Sequence, residues 1–168
     1  MTSRSSTTAQ PSATAARAIV AEVLDPEVPV LTIEDLGILR EVTVDEAGHV
    51  DVQITPTYSG CPAMDAIRAD VTRALASNGF DDVDVHLVLA PAWTTDWMSE
   101  DGKQKLLDYG IAPPQPRGER PVPVALSLRC PQCGSGDTRE LSRFGSTACK
   151  SLWVCNTCQE PFDHFKTH

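Results

Sequence analysis

Residues 38–54 read ILREVTVDEAGHVDVQI. Ile38, Arg40, Val42 and Val44 stand two apart, and so do Val50, Val52 and Ile54. Successive side chains on a strand point to opposite faces, so each run marks one face of a sheet. The intervening DEAGH supplies turn residues, Gly48 among them. The stretch therefore predicts a β-hairpin, and the rest of the fold can be read outward from it.

On the N-terminal side, Ala15, Ala18, Ile19, Glu22 and Val23 predict a helix over 14–24 with apolar groups on one face. Pro26 stops it, because the residue before a proline is driven out of the helical region. On the C-terminal side, Pro62 suits the first position of a helix. Met64, Ile67, Val71, Ala74 and Leu75 then share a face over 62–77, and Asn78-Gly79 ends the helix. Residues 82–90, DVDVHLVLA, predict a third strand. One or two short helices over 93–110 follow, capped by Gly110. The expected fold class is α/β: a small domain with a β-hairpin, a third strand and packed helices, followed by a β-rich four-cysteine zinc ribbon. The expected units are a disordered polar lead (1–13), the α/β domain (14–111), a linker with five prolines (112–123) and the ribbon (124–168).

A hydrophobic fraction of 41% supports a core, and an aromatic fraction of 5% makes that core aliphatic. No apolar run approaches the roughly 18–20 residues that span a bilayer, so no membrane role is expected. Residues 1–123 hold 9 Lys/Arg against 19 Asp/Glu, and residues 124–168 hold 5 against 4. Phosphate binding needs clustered cations, so this acidic body argues against nucleic acid as a partner. The Ser/Thr-rich start shares its acid-poor composition with transit peptides but lacks the apolar stretch of a secretory signal. Its apolar positions run directly into the first helix. The cytoplasm is therefore the expected compartment, and there paired CxxC motifs read as metal sites rather than disulfides.

Cys130-Pro-Gln-Cys133 and Cys155-Asn-Thr-Cys158 are separated by 21 residues. Each pair forms a tight turn with both sulfurs aimed at one cation, and a hairpin brings the pairs together. One structural zinc ion is expected, held by Cys130, Cys133, Cys155 and Cys158. Four thiolates leave no open coordination position, so this centre builds the fold rather than performing chemistry. Gly134 follows the first pair, where a left-handed residue lets N–H groups approach the sulfurs. Gln159 holds the equivalent place in the second pair. Cys149 reads either as a small buried hydrophobe or as a spare thiol near the metal.

In the α/β domain, Cys61 falls at the N-terminus of the second predicted helix. The partial positive charge there is expected to lower its pKa, making it a metal ligand or nucleophile. A half-buried or capping cysteine is the plain alternative. Asp35 stands near Cys61 if the two loops share one end of the hairpin, and is otherwise a turn aspartate. Glu46-Ala-Gly-His49 is the one string that fits the ExxH pattern of di-iron sites, but it lies in a hairpin turn. Trp93, Trp97 and Tyr109 either pack a short helix on the sheet or form a docking face. Phosphate-loop, dinucleotide and GxSxG motifs are lacking, which leaves no independent sign of catalysis.

DPEVPVLTIEDLGILREV (25–42), followed by ITPTYSGCPAM (54–64) and a helix, resembles the SufT-like iron–sulfur assembly family. WTTDWMSEDGKQKLLDYGIAPP (93–114) and FGSTACKSLWVCNTCQEPFDHFK (144–166) resemble one branch of it, the D subunits of bacterial phenylacetyl-CoA epoxidases. The resemblance implies an accessory, non-catalytic component of a multicomponent oxygenase that acts in aerobic phenylacetate degradation. It implies partners among the oxygenase and reductase subunits, and it leaves a homodimer open. It also implies help in assembling iron or iron–sulfur centres, with Cys61 touching transient iron or a cluster and Asp35 nearby. A purely structural subunit is the competing expectation.

Overall fold

The computed structural model describes residues 12–115 and 128–167. Most of the expected lead (1–13) and of the expected linker (112–123) lies outside the described residues. The first helix, α1, runs Ala13–Ala21, with the Ser12 hydroxyl accepting from the Ala15 N–H at 3.1 Å. It stops before Pro26 because the chain turns to bridge Leu24 with Thr32, with the Ile33 N–H bonded to the Val23 carbonyl at 2.9 Å.

The hairpin forms as β1 (Leu39–Val44) and β2 (Val50–Ile54), paired antiparallel from Val44↔Val50 to Leu39↔Ile54. The alternation is not perfect: a bulge between Leu39 and Glu41 sets Arg40 outward, where its guanidinium stacks 3.8 Å above the Trp97 ring. Helix α2 (Ala63–Ala76) then crosses over to β3 (Val83–Leu87), which lies parallel to β2. The sheet order is β1-β2-β3. Both helices bury their apolar stripes, including Ala16, Val20, Ile67, Val71 and Leu75, with Val42, Val50, Val52, Ile54 and Val85 of the sheet. Mixed α/β architecture follows directly: each helix has one apolar stripe and the sheet offers one apolar face.

A 3-10 turn (Thr95–Trp97) and helix α3 (Glu100–Asp108) come next. Gly110 ends α3 with φ +88°. Gly37, with φ +69°, has no room for a side chain, since a Cβ there would stand 2.5 Å from the Trp97 carbonyl oxygen. The Trp93 indole donates to the Leu36 carbonyl at 2.8 Å, fixing this segment to the start of the hairpin.

The second sheet has the order β4-β7-β6-β5. Its antiparallel core is β5 (Thr138–Ser142), β6 (Lys150–Cys155) and β7 (Pro161–Phe165). Its edge is β4, Ile111–Ala112, which pairs parallel with Asp163 and His164 of β7. The two residues that follow α3 are thus a strand of the ribbon. Phe165 is buried, its ring edge-on to Trp93 with centroids 6.3 Å apart. Cys149 and Phe165 belong to the core of the first sheet, whereas Ala112, Leu128, Cys130, Cys155 and Phe162 form a separate small core.

The ribbon therefore docks through a shared aromatic contact. Phe165→Ala is expected to cost about 3–5 kcal/mol in urea unfolding, the usual range for a phenylalanine removed from a core. A loss below about 1 kcal/mol would mean that the two sheets are not held through this ring.

Candidate functional site

The ribbon's two knuckles have the same hydrogen-bonded frame. The Cys130 N–H donates to the Ser135 carbonyl and the Gly134 N–H to the Cys130 carbonyl, both at 2.9 Å. In the second, the Cys155 N–H donates to Glu160 at 3.0 Å and the Gln159 N–H to Cys155 at 2.9 Å. Both turns need a left-handed residue, and Gly134 (φ +73°) and Gln159 (φ +62°) supply it. Gln159 adopts it without being glycine, its side-chain amide donating to the Asn156 carbonyl at 2.6 Å. The Ser135 and Thr157 hydroxyls join the knuckles at 2.8 Å.

This frame gathers all four sulfurs within 4.8 Å of one another. Cys130 and Cys158 are 3.7 Å apart, and Cys133 and Cys155 3.6 Å. Sulfurs about 2.3 Å from one tetrahedral ion would stand about 3.8 Å apart, so the set fits zinc. The backbone N–H of Cys158 holds the Cys155 thiol down at about 6, while the crowded neighbouring sulfurs push Cys158 up to about 12, so a cation is what would let the whole set ionise.

Cys61 lies between β2 and α2. Its N–H donates to the Tyr58 carbonyl, and its carbonyl accepts from Met64, both at 3.3 Å. Its thiol bonds to the Tyr58 hydroxyl and to the Ala63 N–H. The loop Asp25–Val28 faces it. There, one Asp25 carboxylate oxygen accepts from the N–H groups of Glu27 and Val28, each at 2.8 Å. The helix end does not lower this thiol's pKa as expected. Burial pushes it up, aided by the charges of Glu27 and Asp25, and together they outweigh the Ala63 N–H and the Tyr58 hydroxyl. Tyr58 is pushed up to about 12, first by burial and then by the charges of Cys61 and Glu27. Cys61 thus rests as a thiol, shielded from solvent.

A second thiol reaches this loop from the ribbon. Cys149 is buried, its sulfur 3.0 Å from the Thr147 hydroxyl and 3.7 Å from a Glu27 carboxylate oxygen. Burial raises its pKa, and the Glu27 charge adds to that. The next residue, Lys150, brings its ammonium within 3.5 Å of the Glu27 carbonyl and 3.8 Å of Asp163. Cys149 precedes Lys150–Cys155, so it stands about 20 Å along the strand from the zinc knuckle. It is thus a thiol at the seam between the sheets. Spacing in the sequence carries no sign of this, because Glu27 and Cys149 meet only through the docking of the ribbon.

Asp35 is engaged elsewhere. Its carboxylate accepts from the Thr32 N–H (3.1 Å), the Ser99 hydroxyl (3.1 Å) and the Lys105 ammonium (2.6 Å). The Ser99 hydroxyl in turn caps α3 by accepting from the Gly102 N–H at 2.9 Å. Burial draws the Asp35 pKa up, but Lys105 and Thr32 outweigh it and leave the group below its usual value. None of these bonds joins Asp35 to Cys61. The structure brings Cys61, Glu27, Asp25 and Cys149 to one seam, and it ties Asp35 to α3.

The comparisons with known proteins divide along the same seam. Residues 13–87 match the family described as iron-sulfur cluster assembly protein, and residues 115–166 match the family described as PaaD zinc beta ribbon domain. Over 149 residues the chain is 48% identical to an Escherichia coli (strain K12) protein provisionally named as the D subunit of a 1,2-phenylacetyl-CoA epoxidase, covering 89% of both chains. It is 40% identical over 83 residues to the Bacillus subtilis Fe-S protein maturation auxiliary factor YitW, covering 49% of this chain and 80% of that one. A solved domain of unknown function (DUF59) from Bacillus anthracis superposes with a TM-score of 0.53 at 31% identity, covering 56% of this chain and 90% of that one. Among the described residues no helix is long and apolar enough to cross a membrane.

Asp35→Asn is expected to cost about 1–2 kcal/mol at pH 7 by weakening the α3 cap, solvent screening of Lys105 keeping the loss modest. Because folding lowers the Asp35 pKa, its contribution is complete above the unfolded value near 3.9 and fades as pH falls through the lower folded value. Urea unfolding should therefore show the gap between variant and parent closing below about pH 4. A gap that stays constant down to pH 3 would contradict this.

Proposed function

This chain belongs to the PaaD-like family of phenylacetyl-CoA epoxidase D subunits, a branch of the SufT-like iron–sulfur assembly family with an added zinc ribbon, and from that premise we propose that it is a cytoplasmic accessory component of phenylacetyl-CoA epoxidation that helps assemble iron or iron–sulfur centres. Iron, or an iron–sulfur cluster, is cargo in this reading and Cys61 is the residue that touches it. The observation that carries it is the setting of Cys61: a thiol on a helix-start turn, faced by the carboxylates of Glu27 and Asp25. Such a group of acidic donors attracts a cation, and Lys150 already stands at its edge. The raised thiol pKa fits transient binding, since the metal must displace a proton to bind and the returning proton favours release.

The ribbon zinc is structural, because four thiolates close its coordination sphere. The receiving partners are the oxygenase or reductase subunits of the epoxidase, with protein rather than nucleic acid as the partner of an acidic body. Asp35 serves this reading by holding the loop before the hairpin onto α3. The low exposure of Cys61, 8%, favours a second reading, a structural subunit that carries no metal to its partners.

Cells carrying Cys61→Ala should make a folded, zinc-loaded chain yet lose epoxidase activity and partner iron by about 10–100-fold, the scale for disturbing a metal's immediate surroundings. Full activity and full iron content in that strain would favour the structural subunit.

A further inference from the structure

Strand β3 is an edge of the first sheet, since among the described residues it pairs with β2 alone. The Val50 N–H donates to the Asp82 carbonyl and the Val88 N–H to the Ile54 carbonyl, both at 2.9 Å. Backbone direction alternates along a strand, so residues 82, 84, 86 and 88 turn their N–H and C=O groups toward β2. Those of Val83, Val85 and Leu87 point to the open edge. We propose that this edge pairs with a second copy of the chain, β3 against β3, antiparallel about Val85, joining two three-stranded sheets into one of six strands. The pairing is independent of what Cys61 does.

The order of residues along β3, VDVHL, fits its own reverse. In that register Val85 meets its own copy, Val83 meets Leu87 and Asp84 meets His86. The Val83–Leu87 and Val85–Val85 pairs use the backbone groups that β2 leaves free. They fall on the face that carries the helices, because Val85 lies there in the core. Leu87 is 43% exposed, which is high for an apolar side chain on that face. On the same face a groove of about 540 Å³ runs between α2 and β3, lined by Ala69, Ala76, Val83 and Val85, with Arg68 and Arg73 also along it. The alanines leave room, and the second copy's Leu87, set opposite Val83, fills it. An open edge that shows apolar side chains is a ready template for another strand.

The other face supplies charge complementarity. Within one chain Asp51 stands directly opposite Asp84, and like charges so placed repel. His86 reaches diagonally to Asp51 at 2.9 Å, and Asp84 has His49 at 3.7 Å. The second copy sets its His86 on the open side of Asp84, so each row across the joint runs Asp51, Asp84, His86, Gln53. Centring the pair on Asp84 instead would set that carboxylate against itself, and a one-residue slip would turn the helices of the two copies to opposite faces. A joint of five residues per copy is small, so the dimer is weak, with Kd on the order of 1–100 µM.

The test uses the full chain, reduced and zinc-loaded, in sedimentation equilibrium at loadings from about 1 to 500 µM. The expected result is a mass that rises with concentration from 18.1 kDa toward twice that value. Leu87→Lys carries a charge into the groove and should weaken association by about tenfold or more. Register is read separately, by mixing Asp84→Cys with His86→Cys chains and adding oxidised glutathione. Opposed residues of a non-hydrogen-bonded pair stand about 4.5 Å apart, within disulfide reach. Peptide mass spectrometry should find a link from position 84 to position 86 in the mixture, and this readout holds even if Leu87→Lys fails to fold. A mass of 18.1 kDa at every loading would overturn the proposal. So would a dimer that yields no link between positions 84 and 86, because its joint would lie elsewhere.

Discussion

Ile111 and Ala112 lie alongside Asp163 and His164 as the edge strand of the ribbon, and the following residue of β7, Phe165, is buried against Trp93. Everything specific to this chain depends on that joint. The α/β domain has its own core of aliphatic residues between helices and sheet. The ribbon is too small to hold together by burial alone, and its separate core contains few residues. Zinc supplies what that small core lacks, and the joint then ties the metal-held ribbon to the larger domain. Burial of the Phe165 ring contributes about 1.5–3 kcal/mol, and its edge-on contact with Trp93 about 0.5–1.5 kcal/mol more.

The joint has a chemical consequence. It places a second thiol, Cys149, beside the loop that faces Cys61, in a buried region where both thiols rest protonated. Burial and neighbouring carboxylates act in the same direction there, so neither cysteine is a ready nucleophile at neutral pH. The ribbon centre has the opposite character. Its matched turns gather four sulfurs into one closed set, and the Cys158 N–H favours the thiolate at Cys155. One chain thus combines a four-cysteine cluster in the ribbon with a seam where two thiols are buried among carboxylates.

Much of this was legible in the sequence where the information is local. The hairpin was readable because the alternation of Val42, Val44, Val50 and Val52 is set by the strand itself. The knuckles were readable because CxxC spacing fixes a turn, and even the weak position, Gln159, takes the left-handed conformation the turn needs. Tertiary contacts decided the rest. The bulge at Arg40 serves a stack on Trp97, and α1 ends at Ala21 because Leu24 is drawn to Thr32. The expectation of a lowered Cys61 pKa followed from its helix end, a local cue, but burial and the Asp25–Val28 loop prevail. Asp35 has the turn contact with Thr32 that its local sequence allows, while its bonds to Ser99 and Lys105 reach far along the chain and leave no local sign. The two-residue strand β4 is too short to leave a pattern, and the meeting of Cys149 with Glu27 leaves none.

The central claim is that zinc, ribbon, joint and the Cys61 seam form one coupled chain of dependence. Alkylation of Cys61 followed by mass spectrometry, on zinc-loaded protein and on protein stripped by a chelator, tests it most directly. The account predicts slow labelling with zinc bound and clearly faster labelling once the ribbon loses its metal and undocks. Equal rates in the two states would show that the ribbon neither shields nor shapes the site, and would contradict the account.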